Sequence, residues 1–456
     1  MSSPTATSQQ RARTERLLHG PIAPTLLRLA TPGIALVAFQ SAVSMADAYF
    51  VGRLGTEPLA GIALVFPLVM LLQMMSAGAM GGGVSSAIAR ALGSGQLAKA
   101  RNLVVHAMLI GMGMGVLFTA LMLLSGPVIY RLLGGSSGTL EQAISYSNML
   151  FAGSVLVWLA NTLASILRGS GNMLVPAIAL ALASLLHVPL SGWLVLGFGE
   201  WRGLGIAGAG VAYLAAAGFS SLVMLLYLLR PSGTLRPGKQ DMSLDPALFV
   251  DILRVGAISS LSAVQTVLTA TVLTGVVGVF GTAALAGYGV GIRLELLQVP
   301  LVFAVGQALV AMIGTNIGAG HAERAKRIAW TGAFISAGAS LAIGAFVAVF
   351  PGAWIGLFSS DPGVLEVGST YLRVVGPFYP FLALGVSLYF ASQGAGKVVM
   401  PVVAGTLRLA VAALGSLCAL HLGAPLWMVF CVISAALAVY GGFTAWAILR
   451  SSWSTK

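Results

Sequence analysis

The chain has 456 residues, of which 58% are hydrophobic and only 8% charged, with a net charge of +12. Soluble domains carry about 25% charged residues, so this composition excludes a soluble enzyme and points to a polytopic membrane protein. The positive charge sits in short loops between apolar stretches and builds no basic face, which argues against nucleic acid as a partner.

Residues 1–24, opening MSSPTATSQQRARTERLLHG, are polar and then basic, and are expected to form a mobile cytoplasmic tail. A small-residue cleavage site after a short apolar region is missing, so no removed signal peptide is expected. A criterion of about 20 apolar residues then gives a series of spans. In a first lobe, 25–229, they cover 28–52, 58–82, 102–126, 143–167, 173–198 and 204–229. The polar stretch RPSGTLRPGKQDMSLDP, 230–246, is read as a cytoplasmic linker. A second lobe, 247–449, holds spans at 247–277, 283–313, 327–350, 368–392, 398–421 and 425–449, and 450–456 form a short cytoplasmic tail. Cys418 and Cys431 fall in apolar segments without motif spacing, so neither a disulfide nor a metal is expected.

Twelve spans alternate the loops consistently. Of the 24 Lys and Arg, 18 fall on the side of the N-terminus, three in the opposite loops and three in or beside spans. That bias places both termini in the cytoplasm of a multi-pass protein of the cell (inner) membrane.

The second half repeats the first. GRLGTEPLAG (52–61) matches GVFGTAALAG (278–287) at an offset of 226, and GSGQLAKAR (93–101) matches GAGHAERAK (318–326) at 225. GSGNMLVP (169–176) returns as GAGKVVMP (394–401), and Tyr146 aligns with Tyr371. Six spans per repeat is an even number, so the halves share one orientation. The expected fold is all-α, with twelve transmembrane helices in two parallel-repeat six-helix bundles across a central cleft.

Few polar side chains interrupt the spans. A carboxylate at a helix centre costs about 2.5–3.5 kcal/mol even on the lenient insertion scale, so Asp47 marks a working site. Gln40 and Ser44 share its helix face by their spacing. Asn161 belongs to a polar stripe with Ser154, Trp158 and Ser165, and Ser184, His187 and Ser191 form another. Glu295 is a second intramembrane acid, either a substrate or proton site or the structural partner of another helix. Neither acid is repeated: the positions equivalent to Asp47 and Glu295 are Leu273 and Val69.

The segments DAYFVGRLGTEPLAG, AIARALGSGQLAKAR and ILRGSGNMLVP, with their second-half copies, resemble the multidrug and toxic compound extrusion (MATE) transporters from about residue 25 to 449. The resemblance implies a secondary antiporter, not an enzyme, exchanging small amphipathic or cationic organic compounds for H⁺ or Na⁺. No cofactor is implied, and a monomer in the bilayer is expected. Asp47 matches the first-helix aspartate that many prokaryotic members use for cation coupling. Where that group often has Asn-x-x-x-Asp on the fifth helix and Thr on the sixth, this chain has His187, Ser191 and Tyr213. A proton needs one carboxylate whereas dehydrating Na⁺ needs several oxygens, so the loss of the second carboxylate favours H⁺. Protonation of Asp47 is then expected to be coupled to substrate release. Two rivals stay open: a flippase of a lipid-linked precursor, which an Arg-rich groove would mark, and a channel or integral membrane enzyme.

Overall fold

The computed structural model describes residues 6–453; residues 1–5 and 454–456, the outer parts of the two expected tails, lie outside the described residues. After a first helix α1 (Ala6–His19), the first half contributes α2 (Ile22–Gly52), α3 (Thr56–Gly93), α4 (Leu97–Leu132), α5, α6 (Leu174–Leu196) and α7 (Ile206–Leu229). α5 is a pair, Ser137–Ala152 and Ser154–Gly169, bent by 50°. The second half contributes α8 (Pro246–Gly278), α9 (Thr282–Gly318), α10 (Ala322–Val349), α11 (Pro362–Ala395), α12 (Val399–His421) and α13 (Leu426–Arg450). Among the described residues eleven helices are long and apolar enough to cross a membrane, and the bent pair, taken as one span, makes twelve.

The repeat is visible in the backbone. Gly55 and Gly281, which precede α3 and α9, both take positive φ, 127° and 104°, and so do Gly95 and Gly320, at 75° and 80°. The chain enters each following helix through a left-handed turn that a side chain would strain. α5 breaks at Gly153, and its counterpart α11 breaks at a 3₁₀ turn, Gly376–Phe378.

α3 has 38 residues and α9 has 37. The extra residue is taken up by a π-helical segment, Met74–Met80, in the middle of α3. This insertion explains why the repeat offset falls from 226 before it to 225 after it. A π turn loosens carbonyls from their usual partners, and in a membrane every such group must be satisfied. The second half supplies the donors: the amides of Gln307 and Gln393 donate to Ala77 O and Gly78 O, at 3.4 and 3.0 Å.

The same stretch carries the seam between the halves. Lipid tails are as apolar as leucine, so helices associate through close approach of small residues. Cβ atoms built on Gly93 and Gly318 would lie 2.0 Å from Thr315 O and 2.1 Å from Arg90 O. Arg90 and Thr315 are themselves repeat-equivalent, so this crossing is nearly two-fold symmetric. Gly83 against Ile252, Gly314 against Ala89 and Gly33 against Ala304 extend the contact. All these approaches lie toward the end where α1 and the C-terminal segment meet, since Leu17 and Trp453 share one core cluster. The halves are therefore closed at that end, called the basic end below, and part toward the other.

Hydrophobic packing follows the halves with two crossovers, the first where Leu248 and Ile252 of α8 join the cluster of the first half. One cluster runs from Val51 to Ile252 and a second from Leu273 to Tyr440. A third joins Leu26 and Ala30 of α2 to Ala308, Leu309 and Met312 of α9, so the basic end of the first span packs on the second half.

One expectation changes. The N-terminal tail is not free over its described part: α1 lies across both halves. Gln10 donates to Ser170 O at 3.0 Å, Asn316 donates to Leu17 O at 3.0 Å, and Arg324 donates to Gly20 O. The apolar pair Leu17–Leu18, buried at its end, supplies the anchor that its polar composition obscures. The linker is also held, by Arg101 to Thr234 O, by Asn102 to Ser243 and by Asp245 N–H to the buried His106.

Gly93→Ala should force α3 from α9 and cost about 1–3 kcal/mol, as overpacking does. Its melting temperature in detergent should fall, while Gly113→Ala, which points into open space, should leave it unchanged or slightly raised.

Candidate functional site

Asp47 lies near the open end of α2, its side chain 17% exposed. Its carboxylate faces α6, which approaches closely because Gly192 has no side chain: a Cβ there would lie 2.9 Å from the Phe50 ring. Two donors from α6 meet the carboxylate. His187 Nε2 sits 2.9 and 3.0 Å from its two oxygens, and Ser191 Oγ donates to Oδ1 at 2.6 Å. His187 and Ser191 are one helical turn apart, so both reach the same acid. Charge-assisted hydrogen bonds contribute about 1.5–3 kcal/mol each, enough for two to offset the cost of placing the acid in a span.

A second polar group continues from the first. The His187 ring stands edge-on to Tyr213 of α7, with centroids 6.3 Å apart. Gln73 of α3 donates to the Tyr213 hydroxyl, and its Oε1 accepts from Asn161 of α5 at 3.0 Å. The Asn161 amide also donates to Ser76 at 2.8 Å, within the π segment. Side chains from five of the first six spans thus form one line from Asp47 to the seam: Asp47, His187, Tyr213, Gln73, Asn161 and Ser76.

Expected site residues divide as follows. Asp47, His187, Ser191, Tyr213 and Asn161 come together. Gln40 and Ser44 do not join them: both are exposed, and Ser44 donates to Gln40 O at 3.3 Å. Ser154, Ser165 and Ser184 donate to backbone carbonyls of their own helices. Glu295 is apart, in the second half, with Arg408 Nη2 3.5 Å from its Oε1. Gln73 and Ser76 were not singled out in the sequence, although Gln73 is a polar residue in the apolar run LVFPLVMLLQMMSAG. Among the described residues no group of three or more His, Cys, Asp or Glu could hold a metal ion.

Comparison with known proteins decides the family. The MatE family model matches residues 32–193 and 259–417, one stretch in each half. This chain belongs to the MatE family. It is a transporter and not an enzyme. A Thermotoga maritima relative named a probable multidrug resistance protein NorM is 26% identical over 382 residues, covering 83% of this chain and 81% of its own. A Shewanella oneidensis relative named an FAD transporter is 29% identical over 385 residues, 82% of each chain. Among solved structures, a MOP superfamily transporter from Pyrococcus furiosus superposes with a TM-score of 0.87 at 25% identity, covering 96% of this chain and 98% of that one. An outward-facing multidrug resistance MATE transporter gives 0.85 at 25% identity, covering 96% and 99%.

In this MatE transporter the polar line lies on the open side of the seam, and its one carboxylate stands at the far end of the line. Gln73 is the joint, because it alone bonds both Tyr213 and Asn161. Gln73→Leu should strip both of a partner and cost about 1–3 kcal/mol. The check is thermal unfolding in detergent, where Asn161→Leu added to Gln73→Leu should cost clearly less than the sum of the two single changes.

Proposed function

We propose that this transporter exports small amphipathic or cationic organic compounds in exchange for protons, with Asp47 and His187 as the coupling pair. The observation that carries this reading is the contact of both Asp47 oxygens with a single imidazole nitrogen. With Asp47 ionised and His187 neutral the pair has charge −1; one proton makes it neutral and a second makes it +1. Each step weakens attraction for a cationic substrate, so proton and substrate exclude one another at the pair. The two macroscopic steps belong to the pair and not to either residue.

Two features favour H⁺ over Na⁺. Hard cations are held by several oxygens, and here one direct partner of the carboxylate is a ring nitrogen. The other, Ser191, brings one hydroxyl where the related sodium-type pattern has a carboxylate. The 18 basic residues on the side of the termini support a cytoplasmic location for the closed end, and hence an outward-open state in the cell membrane. A proton arriving from outside would reach Asp47 and release substrate there. The protonated carrier would then close outward, open inward, lose its proton and reload, each ligand favouring a different state. The relatives named for multidrug resistance support drug-like cargo; the one named for FAD keeps larger, anionic cargo as a second reading.

In vesicles, a pH gradient should drive ethidium efflux by the wild type and a Na⁺ gradient at equal pH should not. Asp47→Asn should abolish the driven efflux, and undiminished efflux would remove Asp47 from the mechanism. His187→Gln keeps a donor to the carboxylate but cannot take up a proton, so its efflux should survive with a narrower pH range. An unchanged pH profile would show that His187 only positions Asp47.

A further inference from the structure

The second half holds a charged pair of its own that the coupling scheme leaves unused. Arg408 comes from α12 and Glu295 from α9, with side chains 16% and 14% exposed. Each half thus places a base on its fifth span, His187 on α6 and Arg408 on α12, against an acid from another helix. The two pairs differ in chemistry: one sets an imidazole against its acid, the other a guanidinium.

The Arg408–Glu295 pair is also loose. Its single close approach is 3.5 Å, against about 2.7–2.9 Å for a charge-assisted hydrogen bond. At the seam, by contrast, Arg90 donates to Asp251 at 2.6 Å. The walls around the pair are aromatic and unfinished. The guanidinium stands 5.6 Å from the centre of the Tyr440 ring. The Tyr288 hydroxyl is buried within electrostatic reach of both Glu295 and Arg408, beside the hydroxyl of Thr274. Gln298 lies one turn from Glu295 on the same face of α9, only 5% exposed, and neither its amide nitrogen nor its oxygen has a partner. Gln298 stands one position short of the repeat counterpart of Gln73, which at the offset of 226 is Val299. Gln73 is fully engaged in the first half; Gln298 is idle. A buried amide left unpaired is costly, which points to a ligand that completes Gln298. Phe303, which packs on Gly78 at the seam, lies nearer the basic end of α9 than Glu295, so the pair is on the open side.

We propose that Arg408 and Glu295 form a second substrate site, in the second half, that takes zwitterionic amphiphiles carrying a carboxylate. The pair is neutral overall. A zwitterion can part it and repartner both members, its carboxylate on the Arg408 fork and its cationic nitrogen against Glu295. A simple cation satisfies only Glu295 and leaves Arg408 opposed to it. Tyr440 puts an aromatic ring beside the guanidinium, and Gln298 supplies a donor and an acceptor. This assignment rests on the transporter reading and narrows its cargo; it does not depend on which ion drives transport.

The test uses the full-length protein in detergent and two dyes that differ by one ester: rhodamine 110, a free carboxylate, and rhodamine 123, its methyl ester. Binding is read by fluorescence anisotropy without any gradient. The wild type should bind rhodamine 110 at least about tenfold more tightly than rhodamine 123. Arg408→Gln should lose that preference while still binding rhodamine 123. The double change Glu295→Gln with Arg408→Gln, which leaves no unpaired charge, should lose it too, and it decides the matter if the single variant does not fold. Asp47→Asn should not lower the preference, since any loss at the coupling pair falls on the cationic rhodamine 123, and this separates the two sites. Absence of a preference in the wild type, including binding of neither dye, overturns the proposal whether or not pH-driven efflux is seen. Persistence of the preference in the double variant overturns it as well.

Discussion

A carboxylate inside a membrane span must be held by donors from another helix, and the first half is arranged around that requirement. Asp47 costs about 2.5–3.5 kcal/mol in place, and two charge-assisted hydrogen bonds from α6 return a similar amount. The balance is close to even. Such an acid is stable enough to persist without adding to the stability of the fold. The bare Gly192 face and the one-turn spacing of His187 and Ser191 both serve this one contact. Tyr213, Gln73 and Asn161 then carry polar character inward to the π segment of α3.

That segment joins the site to the seam between the halves. Beyond it α3 packs on the second half through glycines and through Gln307 and Gln393; before it α3 belongs to the open cleft. An inserted residue in a helix is tolerated only if its freed carbonyls find partners, and here the partners come from the opposite half. Separation of the halves at the basic end would break those bonds. Ser76 lies in this segment and bonds to Asn161, so the polar line and the seam share a residue. A change at Asp47 has a short, hydrogen-bonded route to the seam.

Much of the fold was legible in the sequence. Long apolar runs separated by short loops give the spans, and the offset of 225–226 shows that the chain is duplicated. Even the π insertion left a trace, as the drop of one in that offset, although the sequence alone does not say where the extra residue goes. Asp47 was legible because a lone acid in an apolar span has few structural uses. His187, Ser191 and Tyr213 were reached by resemblance and by helix spacing. Gln73 and Ser76 were not, since their partners lie 85–140 residues away and pairing depends on how each helix is rotated. The same limit hid Arg408 from Glu295. The docking of α1 was missed because composition weighs its many polar residues over the two leucines that anchor it.

The central claim is that a proton and a cationic substrate compete for the Asp47–His187 pair. Proton release on binding measures this directly. Weakly buffered, detergent-solubilised protein at mildly acidic pH is titrated with ethidium while a pH indicator is followed. The account predicts release of about one proton per ethidium bound, and none from Asp47→Asn. Ethidium binding to the wild type without proton release would contradict it.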